Sequence, residues 1–153
     1  MLKVDATPRD RSSRNGLASP ADQRSPKVRE DKPGRILIVE DDYFVATDLE
    51  HALTDAGFVV VGIAVTAQEA VDLSAATQPE LAIMDIRLAG ARDGIEAAAD
   101  LLSRFGIRSV FASAHGDDAT RSRAEKVRPL GWLTKPYSTQ AAVETICTIL
   151  RQK

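Results

Sequence analysis

From residue 35 onward, short apolar runs alternate with amphipathic stretches along the chain. The runs are continuous and rich in Val, Ile and Leu, which is typical of parallel strands buried on both faces. They predict five strands, at residues 35–39, 58–65, 81–84, 109–112 and 130–133. Between and after these runs, apolar residues recur three and four positions apart, the spacing of a helix with one buried face. The chain is therefore expected to alternate five strands with five helices.

Capping residues mark where some of these helices begin. Thr66 precedes the second helical stretch, and Glu69 three residues later completes the pattern of a capping box. Ser138 is suited to cap the last helix. The buried face of that helix is expected to comprise Val143, Ile146, Cys147 and Leu150. The fourth helix, over residues 117–127, is heavily charged and has few apolar anchors.

The alternation of strands and helices indicates an α/β protein with one parallel sheet. Right-handed crossover connections place helices on both faces of such a sheet. We therefore predict a (βα)5 architecture over residues 35–153, with five parallel strands in one sheet. In open sheets of this kind, functional groups gather beyond the carboxyl ends of the strands.

The first 34 residues differ in composition from the rest of the chain. They contain four of the seven prolines and show neither helical nor strand periodicity. Residues 1–35 carry nine Lys and Arg against five Asp and Glu, a net charge of +4, whereas the remainder has a net charge of −6. Such a segment buries too little apolar area to offset the conformational entropy that it would lose on folding. We predict a disordered basic tail over residues 1–34, either an inert extension or a docking arm for an acidic partner or membrane surface.

Composition excludes several classes of protein. No apolar run approaches the roughly 18–20 residues of a membrane span, and the N-terminus lacks the apolar core that a secretory signal requires. The single cysteine, Cys147, excludes a disulfide framework and any multi-cysteine metal site. The cytoplasm is therefore the expected location.

Acidic and phosphate-binding residue types cluster at the predicted strand ends. They follow the first, third, fourth and fifth strands in turn, as Glu40, Asp41 and Asp42, then Asp85, Ser113 and Lys135. Crowded carboxylates repel one another, and each resists ionisation unless a cation intervenes. A hard divalent cation relieves this repulsion, and Mg²⁺ fits best because it takes oxygen ligands and retains several waters. The strand ends therefore predict a Mg²⁺ site.

Asp85 stands alone at the end of an apolar strand, where its carboxylate could act as a nucleophile toward phosphorus. Ser113 and Lys135 would then contact the phosphoryl oxygens, one by a hydrogen bond and the other by its charge. Asp42 is expected to cap the first helix rather than to touch the metal. No Gly-rich phosphate loop follows the first strand, which argues against a nucleotide-binding fold.

One family shows the same residue types in the same order on successive strands. The chain resembles the receiver domain of two-component response regulators at Glu40-Asp41, Asp85, Ser113 and Lys135-Pro136. The resemblance covers roughly residues 35–151, and the flavodoxin-like (βα)5 fold of the family agrees with the architecture predicted from periodicity. It implies that Asp85 accepts a phosphoryl group from a histidine kinase or a histidine phosphotransfer protein.

The resemblance also implies a ligand set for Mg²⁺. Asp41 and Asp85 would bind the ion directly, together with the backbone carbonyl of Arg87. Glu40 would act through a metal-bound water.

The remaining residues that match the family imply a conformational switch. Ser113 corresponds to the hydroxyl that moves toward the phosphoryl group, and Lys135 to the lysine that pairs with that group. In such domains the Lys-Pro bond is typically cis, so we predict a cis bond before Pro136. The aromatic switch residue of the family corresponds here to Trp132. Because indole is bulkier than the ring of Tyr or Phe, its usual inward swing is expected to be hindered.

The residues around Ser113 resemble the Phe-Ala-Thr-Gly-Tyr signature of the so-called FAT GUY single-domain receivers. The Phe-Ala pair is present, whereas Ser113, Ala114 and His115 replace Thr, Gly and Tyr. Arg87 and His115 flank the predicted acceptor, and we hypothesise that they set how readily water attacks the phosphoryl group.

The expected function is that of a Mg²⁺-dependent phosphoacceptor switch with no turnover of small molecules. Since the sequence ends at Lys153, directly after the predicted fifth helix, neither an output domain nor direct DNA binding is expected. Signalling would pass to a downstream protein through protein–protein contacts. Two alternatives stay open: a pseudo-receiver that binds partners regardless of phosphate, and a phosphohydrolase of the haloacid dehalogenase type. The phosphohydrolase usually needs a second carboxylate two residues after the nucleophile, where this chain has Arg87.

Overall fold

Five parallel strands form a single sheet in the computed structural model, which describes residues 32–114 and 117–152. The strands are β1 (Arg35–Val39), β2 (Val59–Ala64), β3 (Leu81–Asp85), β4 (Arg108–Ser113) and β5 (Gly131–Thr134). The helices of the described residues are α1 (Tyr43–Asp55), α2 (Ala67–Thr77), α3 (Gly94–Phe105), α4 (Asp118–Glu125) and α5 (Thr139–Arg151). The strand order is β2-β1-β3-β4-β5. The predicted (βα)5 flavodoxin-like architecture is confirmed.

Two of the predictions fall on residues that the structure does not describe. The tail predicted over residues 1–34 lies outside the described residues up to position 31, and His115 lies outside them as well. Both therefore stay predictions. Within residues 32–114 and 117–152, no helix combines the length and the apolar character that crossing a membrane requires.

Apolar layers cover both faces of the sheet. Buried residues of α2, α3 and α4 share one cluster with Phe111 of β4, and buried residues of α1 and α5 share the other with Ile83 of β3. Strand β3 lies between β1 and β4, and all of its residues are buried. A central strand covered on both faces explains the continuous apolar run that ends at Asp85. The carboxylate of Asp85 is thereby fixed at the middle of the sheet edge.

Helix α4 is shorter than the predicted span of residues 117–127. Asp117 is its N-cap, and its last helical residue is Glu125. The chain leaves the helical conformation because Arg128 adopts a left-handed φ of 56°, directly before Pro129, which has no N–H to donate.

The predicted cap of α2 forms only in part. The Thr66 side chain accepts the N–H of Glu69 at 3.1 Å, as predicted. The Glu69 carboxylate, however, accepts the N–H of Val65 at 2.8 Å, one residue before the expected partner. In a capping box the Glu69 side chain would accept the N–H of the N-cap residue, Thr66. Here it bonds the residue before the N-cap instead, so that half of the capping box is absent.

Of the four residues predicted on the buried face of α5, Ile146 is fully buried, whereas Val143, Cys147 and Leu150 are half-buried, so the prediction is right only in part. The fully buried stripe of α5 consists of Ala142 and Ile146, which lie four residues apart. Cys147 follows Ile146 by one residue, a rotation of about 100° around the helix. That rotation places it at the margin of the stripe.

Candidate functional site

The sheet order brings three predicted carboxylates together at the carboxyl edge of the sheet. Strands β1 and β4 flank β3, and Asp85 lies opposite Ala112 of β4. Glu40, Asp41 and Asp85 each place one carboxylate oxygen within 4.8 Å of the others. Glu40 and Asp85 are buried, whereas Asp41 is exposed.

Lys135 reaches this cluster from the end of β5. Its Nζ donates hydrogen bonds to Asp85 Oδ2 at 3.0 Å and to Glu40 Oε2 at 3.2 Å. Its backbone N–H donates to the Ser113 carbonyl at 2.8 Å, and its peptide bond to Pro136 is cis, as predicted. Burial lowers the pKa of Lys135, but Asp85 and Glu40 outweigh burial and raise that pKa above its ordinary value. Lys135 is therefore a stable cation between two carboxylates.

Backbone groups position Glu40 on both sides. Its N–H donates to the Ala64 carbonyl of β2 at 2.9 Å, and its Oε1 accepts the N–H of Asp42 at 3.1 Å. Burial raises the pKa of Glu40 to about 7, and Asp85 adds to the rise. Because desolvation disfavours the charged form, additional positive charge nearby would favour ionisation of this carboxylate.

Asp42 caps α1, as predicted. Its Oδ1 accepts the N–H of Phe44 at 3.0 Å and that of Val45 at 3.2 Å. The cap fixes the start of α1 directly after Glu40 and Asp41, so the helix holds the acidic pair at the strand end.

The donor set suits a divalent cation. Ionised Glu40, Asp41 and Asp85 carry three negative charges, and Lys135 supplies one positive charge. A divalent cation balances the other two. Carboxylate oxygens with retained waters are the ligands that Mg²⁺ takes, so the residues present fit this ion.

A cavity of about 400 Å³ lies over the carboxylate cluster. The predicted site residues that line it are Glu40, Asp41, Asp42, Asp85, Arg87, Ser113, Ala114 and Lys135. Ile86, Asp117 and Thr120 also line it, although they are not among the predicted residues. Pro136 lines a neighbouring groove of about 510 Å³, and Trp132 is not among the described residues that line either space. Asp117 and Thr120 bring the N-terminus of α4 to the rim of the cavity.

The N-terminus of α3 holds the backbone around Asp85. The Arg87 N–H donates to Asp85 Oδ1 at 3.3 Å, and the Gly94 N–H donates to the Ile86 carbonyl at 2.7 Å. A Cβ at Gly94 would lie only 1.9 Å from the carbonyl oxygen of Asp85. Glycine at this position therefore lets α3 rest directly on the backbone of Asp85. No local pattern predicts this contact, because it depends on how the two elements pack.

The domain that carries this site matches a known protein family. Residues 36–147 match the family model of the response regulator receiver domain. The chain belongs to this family. The resemblance to the receiver domain seen in the sequence is thereby confirmed.

Curated relatives of this receiver domain include two regulators. The transcriptional regulatory protein PdtaR of Mycobacterium tuberculosis is 34% identical over 114 residues, covering 74% of this chain and 55% of PdtaR. The phyllosphere-induced regulator PhyR of Methylorubrum extorquens is 32% identical over 117 residues, covering 76% of this chain and 43% of PhyR. The chain thus spans about half the length of these relatives.

Solved receiver domains share the fold. The receiver domain of a modulated diguanylate cyclase from Desulfovibrio desulfuricans G20 superposes with a TM-score of 0.73 at 32% identity, covering 79% of this chain and 96% of that one. The PhyR receiver domain of Erythrobacter litoralis gives a TM-score of 0.68 at 28% identity, covering 78% and 91%.

Trp132 of this receiver domain lies on β5, and its indole contacts Phe111 of β4 and Arg121 of α4. Its ring centroid is 5.3 Å from that of Phe111, with the rings tilted by 35°. The guanidinium carbon of Arg121 lies 4.1 Å from the Trp132 centroid, in cation–π contact. The indole therefore contacts both a buried strand and the exposed helix.

Proposed function

We propose that this receiver domain is a Mg²⁺-dependent phosphoacceptor in which Asp85 takes the phosphoryl group. The position of Asp85 carries the proposal: the carboxylate ends the central strand, lines the cavity and lies 3.0 Å from Lys135 Nζ. The donor is a histidine kinase or a histidine phosphotransfer protein, the partners that the family resemblance implies. No turnover of small molecules is part of the proposed function.

The transfer begins when an Asp85 carboxylate oxygen attacks the phosphorus of a phosphohistidine. A P–O bond forms as the P–N bond breaks, and the departing imidazole takes a proton from solvent. Lys135 pairs with the phosphoryl oxygens, and the Ser113 hydroxyl donates a hydrogen bond to one of them. Water later attacks the phosphorus, which releases inorganic phosphate and restores the carboxylate.

The acidic residues would hold Mg²⁺ next to the acceptor. Asp41 and Asp85 would bind it directly with the carbonyl of Arg87, and Glu40 would act through a water. When bound, the ion supplies positive charge that offsets the charge of the phosphoryl oxygens. Asp42 keeps the acidic pair in place by capping α1.

Intact-mass measurement after incubation with Mg²⁺ and acetyl phosphate tests the proposal. One phosphoryl adduct is expected on the wild type and none on Asp85→Asn. Asp118→Asn is the matched control, because Asp118 is exposed on α4 and is not among the described residues that line the cavity. A chelator in place of Mg²⁺ is expected to abolish the adduct.

Other outcomes point to the alternatives. Absence of an adduct at every donor concentration would exclude the acceptor role and favour a pseudo-receiver that binds partners regardless of phosphate. Steady release of phosphate from diverse esters would favour a phosphohydrolase. An adduct that persists in Asp85→Asn would place the acceptor at another residue.

Signalling is proposed to pass through contacts with a downstream protein. The names of PdtaR and PhyR, a transcriptional regulatory protein and a phyllosphere-induced regulator, support a regulatory role. The match covers about half of each relative, so only the receiver function is carried over to this chain.

A further inference from the structure

Helix α4 is attached to its neighbours largely through two arginines. Of its eight residues, only Ala124 is buried. Arg123 pairs with Asp93, the N-cap of α3, at 2.9 Å, and Arg121 covers Trp132. Both arginines are exposed, so these contacts hold the helix less firmly than a broad apolar face would.

Asp117 links this helix to the cavity of the acceptor. Its Oδ1 accepts the N–H of Thr120 at 2.7 Å and so caps the first turn of α4. This hydrogen bond lowers the pKa of Asp117, so the side chain is anionic at neutral pH. Asp117 and Thr120 also line the cavity that Asp85 and Ser113 line. Asp117 therefore caps α4 through its carboxylate and is one of the residues that line the space that the phosphoryl group would enter.

We propose that Asp117 is the residue through which phosphorylation of Asp85 displaces α4. This inference rests on the proposed phosphoacceptor function. The phosphoryl group carries a charge of about −1.5 to −2 in place of the single negative charge of the Asp85 carboxylate, so the cavity becomes more negative by about 0.5 to 1 charge. Because like charges repel, Asp117 withdraws from the rim and its cap bond to Thr120 is lost.

Loss of the cap affects the contact between Arg121 and Trp132 because α4 has few other contacts that hold it in place. Uncapping frees the backbone N–H groups of the first turn. Arg121 follows Thr120 directly, so its guanidinium leaves the indole when this turn moves. The surface formed by Arg121 and Trp132 then differs between the two states, which a partner can distinguish. This route requires no inward swing of the bulky indole.

The fluorescence of Trp132, the single tryptophan of the chain, reports its contact with Arg121. Emission of the full chain is recorded before and after phosphorylation with acetyl phosphate and Mg²⁺, and the change is divided by the phosphorylated fraction from intact mass. Asp117→Asn and Asp117→Ser keep a capping side chain without the charge, and Asp118→Asn is the control. The change is expected in the wild type and the control, and to be at least about two-fold smaller in both Asp117 variants.

Salt provides a second readout. Because Asp117 is exposed, its repulsion is screened, so the wild-type change should shrink toward that of the variants as ionic strength rises. Equal changes in the wild type and both Asp117 variants, or no change in phosphorylated wild type, would overturn the inference and leave the acceptor role intact. Absence of the adduct in the wild type would overturn the proposed function, and the inference with it.

Discussion

Among the described residues, Lys135 is the cation that bonds both buried carboxylates of the site. Lys135→Met keeps the apolar stem but leaves Glu40 and Asp85 without that charge. We expect the free energy of unfolding in metal-free buffer to fall by about 1–3 kcal/mol. Mg²⁺ should then restore more stability to the variant than it adds to the wild type. Urea titrations with chelator and with Mg²⁺ measure both effects, and an equal loss in Lys126→Met, an exposed position, would contradict the prediction.

Residues at strand ends were predictable from the sequence, whereas residues that reach the site from helices were not. Glu40 and Asp85 each follow an apolar run, and parallel strands place such residues at one edge. Asp117 also caps a helix, and a capping pattern gives no sign that the same carboxylate borders a cavity. Its position depends on where α4 packs against the sheet, which is a tertiary property.

Helix α3 packs against the end of β3 at Gly94 with no side chain between the two backbones. In Gly94→Ala, the new Cβ would lie 1.9 Å from the Asp85 carbonyl oxygen. Backbone cannot move aside as a side chain can, so the loss of stability should reach or exceed the roughly 1–3 kcal/mol of ordinary overpacking. Urea unfolding measures it. Gly131→Ala is the control, because its Cβ would meet nothing closer than Ile149 Cδ1 at 3.6 Å; similar losses in both variants would refute the account.

Helices α3 and α4 are expected to differ in local stability. Helix α3 buries five residues and has a complete capping box between Asp93 and Glu96, whereas α4 buries one residue. Local opening costs less where few apolar contacts must break. We therefore expect backbone amides of α4 to exchange with solvent faster than those of α3 in the unphosphorylated chain. Hydrogen-exchange mass spectrometry resolves the two helices, and equal protection would show that the arginine contacts hold α4 firmly.

The overall architecture was predictable because the strand patterns, the helix patterns and their order along the chain all indicate the same fold. Continuous apolar runs indicate strands buried on both faces, and their alternation with helices leaves a parallel sheet as the solution. Contacts between distant segments were not predictable. The stack of Arg121 on Trp132 and the fit of Gly94 to Asp85 arise only after the helices dock, and periodicity does not encode docking geometry.

The proposed Mg²⁺ ligands come from segments that are far apart in the chain, so they meet only in the folded molecule. Binding should therefore stabilise the whole fold, by about 2.7 kcal/mol when free Mg²⁺ is about a hundred times its Kd. Urea unfolding of the full chain across a Mg²⁺ series measures this rise. In Asp41→Asn the free energy of unfolding should increase much less with Mg²⁺, because the substitution removes a proposed ligand. Asp41 is exposed, so the fold should tolerate its loss. Asp118→Asn should preserve the rise. An equal rise in both variants would mean that Mg²⁺ stabilises the chain from a site that does not include Asp41.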